Sequence, residues 1–194
     1  MKNQPKLYFI TGNRHKFAEV SELFAQEDLN YELRQKDLNP TEIQADTLEE
    51  VARFKLSSVK SKLDVSYFIE DAGFFVDIPL KGFPGVYSSY VFKTLGNEGI
   101  LSLIKNFDDT KAHFSSVIAL YYKPSEQIYL FKGRVDGKVS SKIKGNRGFG
   151  YDPIFISDIQ PDKTFAELSK LEKNHISHRG IALRKLIEFL KKLN

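Results

Sequence analysis

Two neighbouring carboxylates, Glu70 and Asp71, stand in IEDAG (69–73) within the apolar run SYFIEDAGFFVDI, where solvation argues against charge. A carboxylate at a strand end running into a glycine turn is placed to hold a hard cation, and oxygen ligands with retained waters suit magnesium. Neighbours on a strand face opposite sides, so both acids enter one pocket only if the strand is bulged. Asp71, beside the small residues Ala72 and Gly73, is the expected catalytic acid and metal ligand. Glu42, in TEIQAD, is the candidate second carboxylate for the same ion. The plainer reading is a solvated strand end.

Three further stretches carry groups that suit an anionic ligand. TGNRHK (11–16) joins a glycine turn to a helix start, where exposed backbone N–H groups favour phosphate, and Lys16 adds a full charge. It lacks the P-loop spacing, so alone it says little. GNRGFGYDPIF (145–155) is glycine-rich and carries Phe149 and Tyr151, rings on which a flat base can stack; the alternative is that they close the end of a sheet. EKNHISHRG (172–180) gathers Lys173, His175, His178 and Arg179 at or just before a helix N-terminus. Cations are unfavourable there without an anion, and a polyphosphate supplies one. His175 reads as a surface residue and is left out of the site.

Periodicity supplies the elements that must position these groups. KLYFIT (6–11) reads as a strand, and Phe17, Val20, Leu23 and Phe24 then follow helical spacing with Asn13 as N-cap. YELRQKDL is a second strand, and DTLEEVARFKLSSVKSKL a helix with Leu48, Val51, Ala52 and Leu56 on one side. SYFIEDAGFFVDI is expected as a strand pair or a bulged strand around Gly73, KGFPGVYS as a loop, and 87–107 as a helix weakened by Gly96 and Gly99. KAHFSSVIALYY and QIYLFKGRVDG form a long hairpin about KPSE, and 177–191 a closing helix capped by Ser177. The fold class is therefore α/β, an elongated mixed sheet flanked by helices. The 194 residues are expected to form a single domain, with two lobes around a central cleft.

Composition narrows the function classes. With 41% hydrophobic and 28% charged residues, and no apolar stretch near the roughly 18–20 residues of a membrane span, no membrane association is expected. MKNQPKLYFITGN holds no long apolar region, so a secretory signal is not expected and a cytoplasmic location is. Zero cysteines exclude disulfides, thiolate metal sites and a cysteine nucleophile. Residues 132–194 carry 14 Lys and Arg against 7 Asp and Glu, which suits a polyanionic partner, although lysines on solvated faces are the commoner reading.

Taken together, TGNRHK, IEDAG, KGFPGVYSS, GFGYDPIF and EKNHISHRG resemble, in order and approximate spacing, the inosine triphosphate pyrophosphatase family, over residues 7 to about 187. The resemblance implies Mg²⁺-dependent cleavage of ITP, XTP, dITP and dXTP between the α and β phosphates, giving the monophosphate and pyrophosphate. It implies that Thr11, Gly12, Asn13, Arg14, His15 and Lys16 bind the triphosphate and that Asp71 is proton acceptor and metal ligand. It also implies Glu42 as a second metal ligand. Phe149, Gly150, Tyr151 and Asp152 would form the nucleoside-binding loop, with Lys173, His178 and Arg179 on phosphate and base. Ala72 stands where many relatives have Ser, which removes one hydrogen bond if that hydroxyl meets substrate. KGFPGVYSS resembles a segment near a dimer contact, so a homodimer without nucleic acid is expected. The rivals are a Maf-type pyrophosphatase of different base preference and a non-enzymatic nucleic-acid-binding protein, for which acids at a strand end are ill suited.

Overall fold

Alternating strand and helix signals from Lys6 to Ser58 produce parallel pairing. In the computed structural model, which describes residues 4–193, β1 (Lys6–Ile10) pairs in parallel with β2 (Glu32–Lys36) and with β3 (Tyr67–Val76). Helix α1 (Arg14–Ala25) connects β1 to β2, and α2 (Leu48–Ser58) precedes β3. The expected hairpin follows as β5 (Lys111–Tyr122) and β6 (Gln127–Val139). Among the described residues the seven strands pair in the order β2-β1-β3-β5-β6-β7, with β7 at Phe155–Ser157 and β4 (Phe83–Gly85) on β3. The sheet is mixed, because β4 and β7 pair antiparallel with β3 and β6. Among the described residues no helix is long and apolar enough to cross a membrane.

Three expectations change. β3 is one continuous strand from Tyr67 to Val76 rather than a strand pair. KGFPGVYS is not wholly loop: Phe83–Gly85 pairs with Phe74–Val76, and Pro84 is tolerated because it lies on a short edge strand. The helix expected over 87–107 divides into α3 (Ser88–Thr94) and α4 (Gly96–Ile104), since Gly96, at the junction, takes a left-handed φ of 64° that interrupts the helical run. Helix α5 (Lys170–Ile176) was not foreseen; it runs from Ser169, whose hydroxyl accepts the Glu172 N–H, up to Ser177. The closing helix α6 spans His178–Lys191.

The chain clusters into two compact units. The first holds residues 1–71, 116–132 and 180–194. Its core packs Val20, Leu23 and Phe24 of α1 and Leu183, Leu186 and Leu190 of α6 on Leu7, Phe9, Phe68, Ile118 and Leu120. The second holds 72–115 and 133–179, around Phe74, Phe114, Ile100, Val135, Tyr151, Phe155 and Phe165.

Candidate active site

The turn after β1 is built to start a helix. Thr11 Oγ1 accepts the Asn13 N–H at 3.1 Å, and Asn13 Oδ1 in turn accepts the amides of His15 (2.9 Å) and Lys16 (3.1 Å). Those two amides were expected to face a phosphate and are instead engaged by the cap, because an asparagine side chain satisfies them within the turn. Gly12, Arg14 and His15 lie on the surface. Lys16 turns inward: its Nζ donates to Glu70 Oε2 at 2.6 Å and approaches the Glu70 carbonyl at 3.3 Å. Glu70 is fully buried at its side chain and accepts the Ser116 hydroxyl from β5 at 2.8 Å. The first acid of IEDAG therefore anchors a lysine.

The strand's alternation sends Asp71 the other way, onto α2. That helix starts at Thr47 with reciprocal bonds to Glu50, and it buries Leu48, Val51, Ala52, Lys55 and Leu56. Lys55 Nζ lies 2.7 Å from Glu42 Oε1 and 3.1 Å from Asp71 Oδ1, so the two expected metal ligands meet on one ammonium. Burial lifts the Asp71 carboxyl above the usual aspartate range, while Lys55 and Lys16 pull it down. For Lys55, burial pulls the ammonium down, but Asp71 and Glu42 outweigh it and the net shift is upward. Two converging carboxylates with no softer ligand fit magnesium, which is commonly held by one or two carboxylates, waters and substrate phosphates. Among the described residues no group of three or more His, Asp or Glu stands ready to enclose a metal, so the fit is to an open, solvated ion.

In the second unit, the glycine-rich loop is shaped by Asp152. Its Oδ2 accepts the Phe149 N–H at 2.7 Å and Lys173 Nζ at 2.6 Å, and both partners of this ion pair are buried. Gly148 makes room for it, since a Cβ there would stand 2.1 Å from Asp152 Oδ2. Lys173 Nζ and Arg179 Cζ lie 4.9 and 5.4 Å from the Phe149 ring centroid, a cation–π arrangement. Gly150 is tied to α4 through Asn97 Nδ2, 3.1 Å from its carbonyl. Tyr151, expected as a base platform, is a core residue: it stacks on Phe74 at 4.8 Å and donates its hydroxyl to Ser88 O. His178 is also a packing residue here, stacked on Phe114 at 4.6 Å.

The Ham1 family model matches residues 7–189. The chain belongs to the Ham1 family. It is 47% identical to a dITP/XTP pyrophosphatase of Thermococcus kodakarensis over 96% of this chain and 97% of that one. A second dITP/XTP pyrophosphatase, from Pyrococcus horikoshii, is 45% identical over the same shares. Among solved structures, the Staphylococcus aureus Ham1 protein matches with a TM-score of 0.82 at 31% identity, over 97% of this chain and all of that one. A Ham1 protein from Coxiella burnetii gives 0.81 at 29%, over 97% and 99%.

In this Ham1 chain the structure brings together Lys16 with Glu70, Glu42 with Asp71, and Phe149 with Asp152, Lys173 and Arg179. Ala72 is half-buried on β3, with no side-chain group to bond. Lys55 and Ser116 were missed by the sequence reading. Lys55 did leave a signal: three residues after Ala52 and four after Val51, it puts a cation on the apolar stripe of α2. Ser116, inside the apolar strand FSSVIAL, left none.

Proposed function

We propose that this chain hydrolyses dITP, XTP, ITP and dXTP to the nucleoside monophosphate and pyrophosphate, clearing nonstandard purine nucleotides from the cytoplasmic pool. The observation that carries the reading is the convergence of Asp71 and Glu42 on one cation in a chain so similar to dITP/XTP pyrophosphatases. Bound magnesium, held by Asp71 and Glu42, would neutralise phosphate charge and make a nearby water more acidic. The Asp71 carboxylate accepts the proton of the attacking water. A phosphorus–oxygen bond forms to that water as the α–β anhydride bond breaks, and Lys16 and Lys55 hold the charge on the phosphates. Lys173, expected with His178 and Arg179 on phosphate and base, is bound to Asp152 beside the Phe149 ring.

The loop around Phe149 carries groups suited to reading a purine base. Phe149 supplies a ring for stacking, and Arg179 is a donor-only group beside it. A donor suits the 6-oxygen of hypoxanthine or xanthine and opposes the 6-amino group of adenine, a mismatch of the kind worth about 10⁴–10⁵ in selectivity. The exposed rings of Phe83, Tyr87 and Tyr90 support a homodimer through KGFPGVYSS. The test is incubation with dITP, XTP, ITP, dGTP and ATP, with and without Mg²⁺, followed by product identification. Monophosphate plus pyrophosphate from the first three, with little from ATP, is the expected result; equal hydrolysis of ATP refutes the assignment of Arg179. Analytical ultracentrifugation checks the dimer, and a monomer at micromolar concentration refutes it.

A further inference from the structure

Lys55 stands where a cation between Glu42 and Asp71 would stand. Its ammonium contacts one oxygen of each carboxylate, 2.7 and 3.1 Å away. The side chain reaches that point from the buried face of α2 and is only 10% exposed, whereas Glu42, on the segment before the helix, is 70% exposed. A lysine on an apolar stripe has lost most of its hydration, so its position requires the carboxylates as counter-ions. A dication between the same oxygens would satisfy both charges and repel the ammonium.

We propose that Lys55 is the resting counter-ion of the Glu42–Asp71 pair and withdraws from it when a divalent cation binds, its ammonium then being available to an anionic group such as a phosphate. This rests on the assignment of those carboxylates to a metal. The consequence is that a divalent cation binds the substrate-free protein weakly, in competition with a tethered side chain.

Calorimetric titration of Mn²⁺ into substrate-free protein tests it. Lys55→Met should bind at least about tenfold tighter than wild type. Lys62→Met removes an equal charge whose ammonium donates at 3.3 Å to the carbonyl of Leu38, in the segment leading to Glu42, and should change affinity less than about threefold. An equal gain in both variants overturns the proposal, since general charge would then explain it. Affinity that falls in Glu42→Gln yet does not rise in Lys55→Met removes the lysine's role alone. Affinity that survives unchanged in both Glu42→Gln and Asp71→Asn removes the metal from these carboxylates as well. In the wild-type chain, the lysine ammonium NMR signal lost in Lys55→Arg should shift on Mg²⁺ saturation, and a signal that stays in place overturns the displacement.

Discussion

Replacing Lys16 by Met should destabilise the protein more than replacing its partner Glu70 by Gln, because the two sides of the ion pair differ in access to water. The Glu70 side chain is 0% exposed and that of Lys16 is 17% exposed. Without Lys16, Glu70 loses the ammonium at 2.6 Å while the Ser116 hydroxyl stays at 2.8 Å, and a buried carboxylate deprived of that cation is driven to take up a proton. Protonation caps the loss: forcing an ordinary glutamate neutral costs about 3.7 kcal/mol at pH 7 and about 1 kcal/mol at pH 5. Without the Glu70 charge, Lys16 can turn to solvent and the amide can still accept from Ser116, so Glu70→Gln should cost about 1–2 kcal/mol. The double variant should then resemble Glu70→Gln, so the coupling should equal the Lys16→Met cost, at most about 3.7 kcal/mol at pH 7. In Lys16→Met the folded state binds a proton that the unfolded state releases above the usual glutamate range. The deficit relative to wild type is therefore largest at neutral pH and shrinks as pH falls. Urea unfolding of the four proteins at pH 7 and pH 5, without nucleotide, measures all of this. Equal single-variant costs, strict additivity, or a deficit for Lys16→Met that ignores pH would refute the burial argument.

Asp71→Asn should lower turnover with dITP by at least about 100-fold, the typical contribution of a positioned base. In the metal-free protein burial should make the Asp71 carboxyl titrate above the usual aspartate range, followed by NMR, and Mg²⁺ should pull it back down; a metal-free titration at or below that range contradicts the burial argument. Gly148→Ala combines a φ of 71° with a methyl group 2.1 Å from Asp152 Oδ2. The left-handed backbone alone costs about 1–2 kcal/mol, and steady-state kinetics should show a raised KM for dITP with kcat largely kept. Tyr151→Phe removes the bond to Ser88 O and should cost about 0.5–1.5 kcal/mol in thermal or urea unfolding. Its kcat/KM should be near wild type, and a loss beyond tenfold would return Tyr151 to the substrate.

What the sequence made legible was whatever repeats along the chain. The 3.6-residue spacing of Val20, Leu23 and Phe24 and of Leu183, Leu186 and Leu190 located α1 and α6, and the cap chemistry of Asn13 fixed where α1 begins. Short-range signals failed where glycine and proline carry more than one meaning. Gly73 suggested a break between two strands, but it lies inside the continuous β3, where a Cβ would stand 2.6 Å from Gly85 O; its small size permits the close approach of β4. The functional pairings are a different kind of information. Lys16 finds Glu70 across 54 residues, and Ser116 finds Glu70 across 46, and no local pattern encodes which cation meets which acid. Alternation along β3 did predict that Glu70 and Asp71 part company. What it could not supply was the consequence: each acid meets its own lysine, one pair sealed in the interior and the other open to water through Glu42. The two acids lie not at a strand end, as expected, but side by side inside β3, and that division accounts for both being there. A sealed pair holds Lys16 in place whatever ligand is present, whereas the open pair can exchange its lysine for another cation, and only the second arrangement can bind a metal.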